Sequence, residues 1–258
     1  MKKAGILCIV TCVLFMFSAI SLFAEDAALK VTAKNGKAFV KSASSGKLTE
    51  LNLGQMVYSK DVVKTNLCDP HSKEGKTFID DRGNVCPVCG AVTLEFPDKS
   101  SISLKPDSEV TIDELVISNT ARKLKVSMTI GELRTIITKV NTPSEFVVKT
   151  PAAICGATGT IFYTKSTADG TTSVYVRDGA LNCIDPTDGT TYTVLAGMMI
   201  TFNADGTVTG PVPVSDVDVS NWTACYADDV AEPFIPAGVN RPDVTPPGNT
   251  LERPASGG

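Results

Sequence analysis

The side chains with the most chemistry to offer lie close together in this sequence. Its only histidine, His71, follows Cys68 by three residues, and after fourteen more comes Cys86-Pro87-Val88-Cys89-Gly90. Zinc takes four nitrogen or sulfur ligands in a tetrahedron, and a two-residue gap lets one tight turn present both members of a pair to a single ion. Gly90, without a Cβ, lets the backbone curl behind the second ligand. The spacing predicts a structural zinc site at Cys68, His71, Cys86 and Cys89. A polar insert of this size has almost no core of its own, so a bound metal would supply much of its folding energy.

Disulfide bonding is the alternative, and export from the cytoplasm favours it. Beyond the first 24 residues there are six cysteines, at 68, 86, 89, 155, 183 and 225, enough for three bridges. Zinc would use three and leave Cys155, Cys183 and Cys225, two of which could pair. Iron or redox use of the cluster is a further option. Cys155 and Cys183 fall in apolar strands and read as small buried residues rather than reactive thiols.

Other chemistries fit less well. A thiol oxidoreductase places Cys-x-x-Cys at a helix N-terminus, where the thiolate is stabilised; here the pair precedes Ala91–Phe96, a strand pattern. A hydrolytic triad would need His71, the one imidazole, which sits within the cysteine cluster. Gly156 to Thr160 lacks the lysine of a phosphate-binding loop. Asp113-Glu114 and Asp228-Asp229 are adjacent pairs, which point to opposite faces of a strand. The sequence therefore reads as non-enzymatic. A net charge of −4, with no basic cluster, argues against a nucleic-acid partner.

The elements that must position these residues are strands. Apolar residues alternate at Ile102 and Leu104, Val110 and Ile112, Leu124, Val126 and Met128, Phe146 and Val148, Ile161 and Tyr163, and Val174 and Val176. Asp169-Gly170, Asp178-Gly179, Asp188-Gly189 and Asp205-Gly206 punctuate them with residues that tolerate the positive φ of tight turns. An aspartate-rich array of this kind can bind calcium, but the Gly-Gly-x-Gly-x-Asp order of the calcium nonapeptide is absent. A short C-terminal helix is expected from Asn221 to Val230, with Ser220 as its N-cap and Trp222 plugging the open end of the domain.

The two ends differ from this pattern. Lys2 and Lys3, the apolar run Ala4–Phe17 and small residues before Glu25 have the layout of a signal peptide, with cleavage expected after Ala24 or Ser21. Ala4 to Ala24 is also about long enough to serve as an uncleaved membrane anchor. Six of the fifteen prolines fall between Pro233 and Pro254, and that segment is expected to be a disordered tail.

Residues 145–163, from Glu145-Phe146-Val147-Val148 through Thr150-Pro151 to Gly156-Ala157-Thr158-Gly159-Thr160, resemble the signature of the FecR domain family. Thr158 stands where that family usually has arginine. Upstream, Leu53-Gly54-Gln55, Asp61-Val62-Val63-Lys64-Thr65 and Leu94-Glu95-Phe96-Pro97-Asp98-Lys99-Ser100 resemble its lead-in and its Asp-Gly-Ser turn, with Lys99 in place of the glycine. Downstream, Val174-Tyr175-Val176-Arg177-Asp178-Gly179-Ala180-Leu181 and Leu195-Ala196-Gly197 resemble its later strands. The resemblance spans roughly residues 30–205. Residues 66–90, where the family has a short turn, resemble the paired knuckles of a zinc ribbon.

The resemblance implies an all-β fold, a layered short-strand β-sandwich or β-solenoid-like FecR domain with a Cys/His hairpin insertion and a short C-terminal helix. The expected organisation is a signal peptide at 1–24, a FecR-like β domain at 25–210 carrying the insertion at 66–90, a helical segment at 211–232 and a tail at 233–258. FecR proteins relay a signal from an outer-membrane receptor to a cytoplasmic segment controlling a sigma factor. With three residues before the apolar run, this chain is expected to lack such a segment. The resemblance thus implies a periplasmic or secreted binding module whose partner is an envelope protein or cell-wall component, with membrane contact only through an uncleaved signal. A metal-dependent or thiol-redox envelope enzyme and an envelope structural or assembly protein are the alternative readings.

Overall fold

The computed structural model describes residues 27–66, 77–79, 85–87, 89–118, 121–139 and 144–228. The expected signal peptide and proline-rich tail lie outside them. The chain order is β1 (Ala28–Asn35), β2 (Ala38–Lys41), β3 (Leu48–Glu50), β4 (Met56–Tyr58), β5 (Val62–Thr65), β6 (Thr77–Ile79), β7 (Val85–Pro87), β8 (Ala91–Glu95), β9 (Ser101–Leu104), β10 (Glu109–Ile117), β11 (Arg122–Ile136), β12 (Ser144–Lys149), β13 (Ile154–Ala157), β14 (Ile161–Ser166), β15 (Thr172–Asp178), β16 (Ala180–Ile184), β17 (Thr191–Leu195), β18 (Met198–Phe202), β19 (Val208–Pro213) and one helix, α1 (Asp216–Thr223).

The strands form two layers. Sheet A runs β4-β1-β8-β9-β11-β14-β15-β18-β19 and sheet B runs β3-β2-β5-β10-β11-β12-β13-β16-β17. The fold is all-β, as the alternation predicts. Alternate residues of both sheets meet in one core that includes Leu29, Leu94, Ile102, Val126, Phe146, Phe162, Val176 and Leu181, and burial of such side chains is the main driving force for closing the layers.

β11 belongs to both layers. Its first part pairs with β10 and β12, its second with β9 and β14. The change of sheet occurs at Gly131, whose φ is +114°. A Cβ there would stand 2.4 Å from Ser108 Cα, so only glycine fits this corner. The four Asp-Gly turns form where expected, with Gly170, Gly179, Gly189 and Gly206 all at positive φ. Asp169, Asp188 and Asp205 each accept bonds from the threonine two residues on, at Thr171, Thr190 and Thr207. A bond from the Thr167 hydroxyl to Asp169, together with these contacts, holds all three carboxyls below their ordinary pKa and gives the aspartates a turn-forming role.

Within the insertion, β6 and β7 pair as a small antiparallel ribbon. The flanking strands β5 and β8 lie in different sheets, so the insertion spans an inter-sheet corner rather than lengthening a hairpin between them. Its base is pinched: a Cβ on Gly90 would lie 2.3 Å from the Asn66 nitrogen and 2.2 Å from the Lys37 carbonyl oxygen.

The helix begins earlier than expected. It opens at Asp216 and closes at Thr223. Cys225, at φ +67°, is left-handed and ends it.

Candidate functional site

The outer face of sheet A carries a single row of residues in register. Thr93 of β8 faces Ser103 of β9, Ser103 faces Arg134 of β11, Arg134 faces Tyr163 of β14, Tyr163 faces Tyr175 of β15, and Tyr175 faces Met199 of β18. Read across the strands, the row passes from hydroxyls through a cation to aromatic rings and then to an aliphatic side chain. A beta face this apolar at one end has to be covered. The chain covers it with its own C-terminal segment, residues 214–228, which lies across the row as a strap.

Strap and row match along their length. Val214 and Val219 pack with Met199 against the cluster of Tyr163, Tyr175, Trp222 and Tyr226. Trp222 lies 6.3 Å from the Tyr175 ring, and Tyr226 lies 5.9 Å from Tyr163. The Arg134 guanidinium stands 4.5 Å over the Tyr226 ring. At the polar end Asp228 ion-pairs with Arg134 and accepts a 2.8 Å hydrogen bond from the Thr93 hydroxyl. Arg134 also donates to Ser103 at 3.2 Å. Burial, with the nearby Tyr163 phenol, raises the Tyr175 phenol.

A second row, of ions, borders the first. Glu132 accepts from Lys105 at 2.9 Å and from Lys165 at 2.8 Å, and Lys105 donates to the Asn221 carbonyl at 3.1 Å. That bond places a cation on the last turn of α1, where free carbonyls and the dipole favour it. Burial pushes the Glu132 carboxyl up, but the two lysines outweigh it and hold it below its ordinary value. A cavity of about 370 Å³ remains between this row and the strap, lined by Lys105, Pro106, Glu132, Lys165, Asn221 and Trp222.

The strap is also covalently fixed: Cys225 forms a disulfide with Cys86 of β7, 139 residues away in sequence. Of the four residues expected to bind zinc, Cys68 and His71 lie outside the described residues. Cys86 is buried and bonded to Cys225, and Cys89, also buried, is in a disulfide as well. A sulfur in a disulfide carries no thiolate charge to offer a metal, so Cys86 and Cys89 as described do not fit a zinc site. Among the described residues, no three His, Cys, Asp or Glu side chains gather at one point. Cys155 and Cys183 are free and fully buried, opposite one another on β13 and β16 with sulfurs 3.1 Å apart. The hydrogen bond to Cys183 and burial push the Cys155 thiol well above its ordinary value, consistent with small core residues.

The signature segment serves turn and packing geometry. The Thr150 hydroxyl, buried, accepts from the Ala153 amide at 3.0 Å and from Thr172 at 2.9 Å. Thr158 is exposed. Lys99, standing where the resemblance expects glycine, adopts φ +68°, and the neighbouring Asp98 ion-pairs with the buried Arg122. Arg122 lies 4.8 Å over Phe146.

Sequence reasoning missed the face itself. Trp222 covers an outer surface rather than plugging an open end. The available signal was that Tyr163, Tyr175 and Arg134 occupy positions whose strand neighbours Phe162, Val176 and Leu133 are core, so that both faces of these strands had to be covered.

This geometry can be set beside known proteins. Residues 87–182 match the FecR protein family. The FecR-type segment begins inside the insertion, contains Arg134, Tyr163 and Tyr175, and ends in β16. Two crystal structures of a candidate anti-sigma factor from Parabacteroides distasonis are similar to this chain. One is 19% identical with a TM-score of 0.43, covering 51% of this chain and 59% of that one. The other is 17% identical with a TM-score of 0.44, covering 62% and 63%. The chain thus spans less than two thirds of either, and likeness at this level carries no argument about function. A search of curated proteins found no match.

Proposed function

We propose that this protein is a non-enzymatic FecR-type interaction module of the cell envelope, working outside the cytoplasm through the outer face of sheet A. The observation that carries the reading is the register-matched row from Thr93 to Met199 with its strap. Aromatic side chains with a buried arginine are the composition of protein-binding hot spots. A non-enzymatic role is supported by the cysteines: Cys86 and Cys89 are in disulfides and Cys155 and Cys183 are fully buried. The disulfides also suit an oxidising compartment.

Zinc at Cys68, His71, Cys86 and Cys89 then belongs to the reduced chain, because one sulfur cannot serve a disulfide and an ion together. Elemental analysis and thiol counting on protein purified without chelator test this, the expected result being substoichiometric zinc. One equivalent of zinc with Cys225 as a free thiol would reverse the assignment. The interaction reading is tested by pull-down from envelope extract with wild-type protein and with Tyr175→Ala and Arg134→Ala. Loss of captured proteins with both variants is expected. Unchanged capture would place the interaction elsewhere.

A further inference from the structure

We propose that the row Thr93–Ser103–Arg134–Tyr163–Tyr175–Met199 is a peptide-recognition groove, occupied in cis by the chain's own strap. The Cys86–Cys225 disulfide holds that occupant in place. The partner it fits is a protein segment with one aromatic residue, a second aromatic four residues on and a carboxylate two beyond, the spacing of Trp222, Tyr226 and Asp228. The inference rests on the interaction reading above and names the partner chemistry for the same face.

Three observations carry it. The first is complementarity: the rings of Trp222 and Tyr226 meet Tyr175 and Tyr163, and Asp228 meets Arg134 and Thr93. The second is that the fit in cis is incomplete. The Tyr163 hydroxyl is fully buried beneath the strap with no hydrogen-bond partner among the described residues. A buried donor left unpaired costs about 1–3 kcal/mol, so a segment bringing an acceptor to that point would be the better ligand. The third is the tether. A strap bonded at Cys225 is always at high effective concentration over the groove, so a free peptide competes with it weakly while the bond is closed and far better once it is open. Opening is an exchange: a dithiol reductant gives two electrons and two protons to the Cys86–Cys225 bond, leaving two thiols on the protein and becoming a disulfide itself.

The test uses the full chain. The probe is a fluorescein-labelled peptide copying residues 219–228 with the changes Trp222→Phe and Cys225→Ser. Trp222, the sole tryptophan of the protein, then reports the strap. Anisotropy is measured with the disulfide-closed wild type, with wild type opened by dithiothreitol, and with a Cys86→Ser/Cys225→Ser variant. Binding at least tenfold tighter to both open forms is expected, with a red shift of Trp222 emission as the peptide displaces the strap. A probe carrying Asp228→Asn should bind at least tenfold more weakly. Equal affinity for closed and open protein, no binding, or binding without the emission shift would overturn the proposal. So would concentration-dependent dimers of the open variant in sedimentation, which would make the occupant a second copy's strap. Should the double serine variant fail to fold, full-length Asp228→Asn keeps the disulfide and loosens the cis contact. It must bind the unaltered probe more tightly than wild type, and failure to do so also overturns the proposal. Retained capture from envelope extract alongside a negative peptide result would separate failure of this inference from failure of the interaction reading.

Discussion

At the scale of single residues, Arg134 links the two halves of the strap contact, stacking on Tyr226 while pairing with Asp228. Removing the guanidinium leaves a carboxylate partly shielded from water, so Arg134→Met should cost about 1–3 kcal/mol in chemical denaturation. Asp228→Asn, which keeps a hydrogen-bonding oxygen, should cost less. Glu132 supplies a pH dependence. Its carboxyl is held below its ordinary value, so its contribution to stability is complete above the unfolded pKa, about 4.3, and fades as pH falls through the lower, folded value. Trp222 emission should therefore be flat above about pH 5 and shift red in acid, and Glu132→Gln should remove part of that acid transition. An unchanged transition would take Glu132 out of the account. Cys155 and Cys183, buried with a raised Cys155 thiol, should resist iodoacetamide until the protein is denatured.

At the scale of elements, much was legible because the signals were local. Asp-Gly pairs marked turns whose glycines take positive φ, and period-two alternation marked the strands. Gly90 also has no room for a side chain, because a Cβ there would meet Lys37 and Asn66. What was not legible depended on partners far away in sequence. Cys86 and Cys89 had ligand spacing, but the bond made by Cys86 reaches Cys225 across the fold. The sequence marks Trp222 as a packing residue, yet the ring it meets lies on β15. The crossing of β11 between sheets was equally hidden, since only one glycine marks it. Gly131→Ala combines an unfavourable φ with a clash against Ser108 and should cost about 3 kcal/mol or more, read from the denaturation midpoint.

At the scale of the whole molecule, the insertion and the sandwich are separable at their junction. Asn66 and Gly90 touch, so deleting residues 67–89 joins backbone that is already adjacent, although β5 and β8 lie in opposing sheets. The shortened protein should still unfold cooperatively, while Trp222 emission moves red because Cys225 has lost its bond to Cys86. Loss of cooperative unfolding would show that the insertion supports the core. At the far edge of sheet A, β19 carries Pro211 and Pro213, which lack the N–H needed to recruit another strand.

The bond between Cys86 and Cys225 also makes the intervening chain a closed ring. Every strand from β8 to β19, with the whole FecR-type segment, lies inside it. In the chain-entropy view, closing a loop of 139 residues disfavours the unfolded ensemble by about 5 kcal/mol. A protease that cuts once at an exposed turn such as Asp188-Gly189 opens the ring without dividing it. The nicked protein should migrate as one piece on a non-reducing gel and as two when reduced, so a protein of this design can be cleaved inside its sandwich and still keep every strand attached.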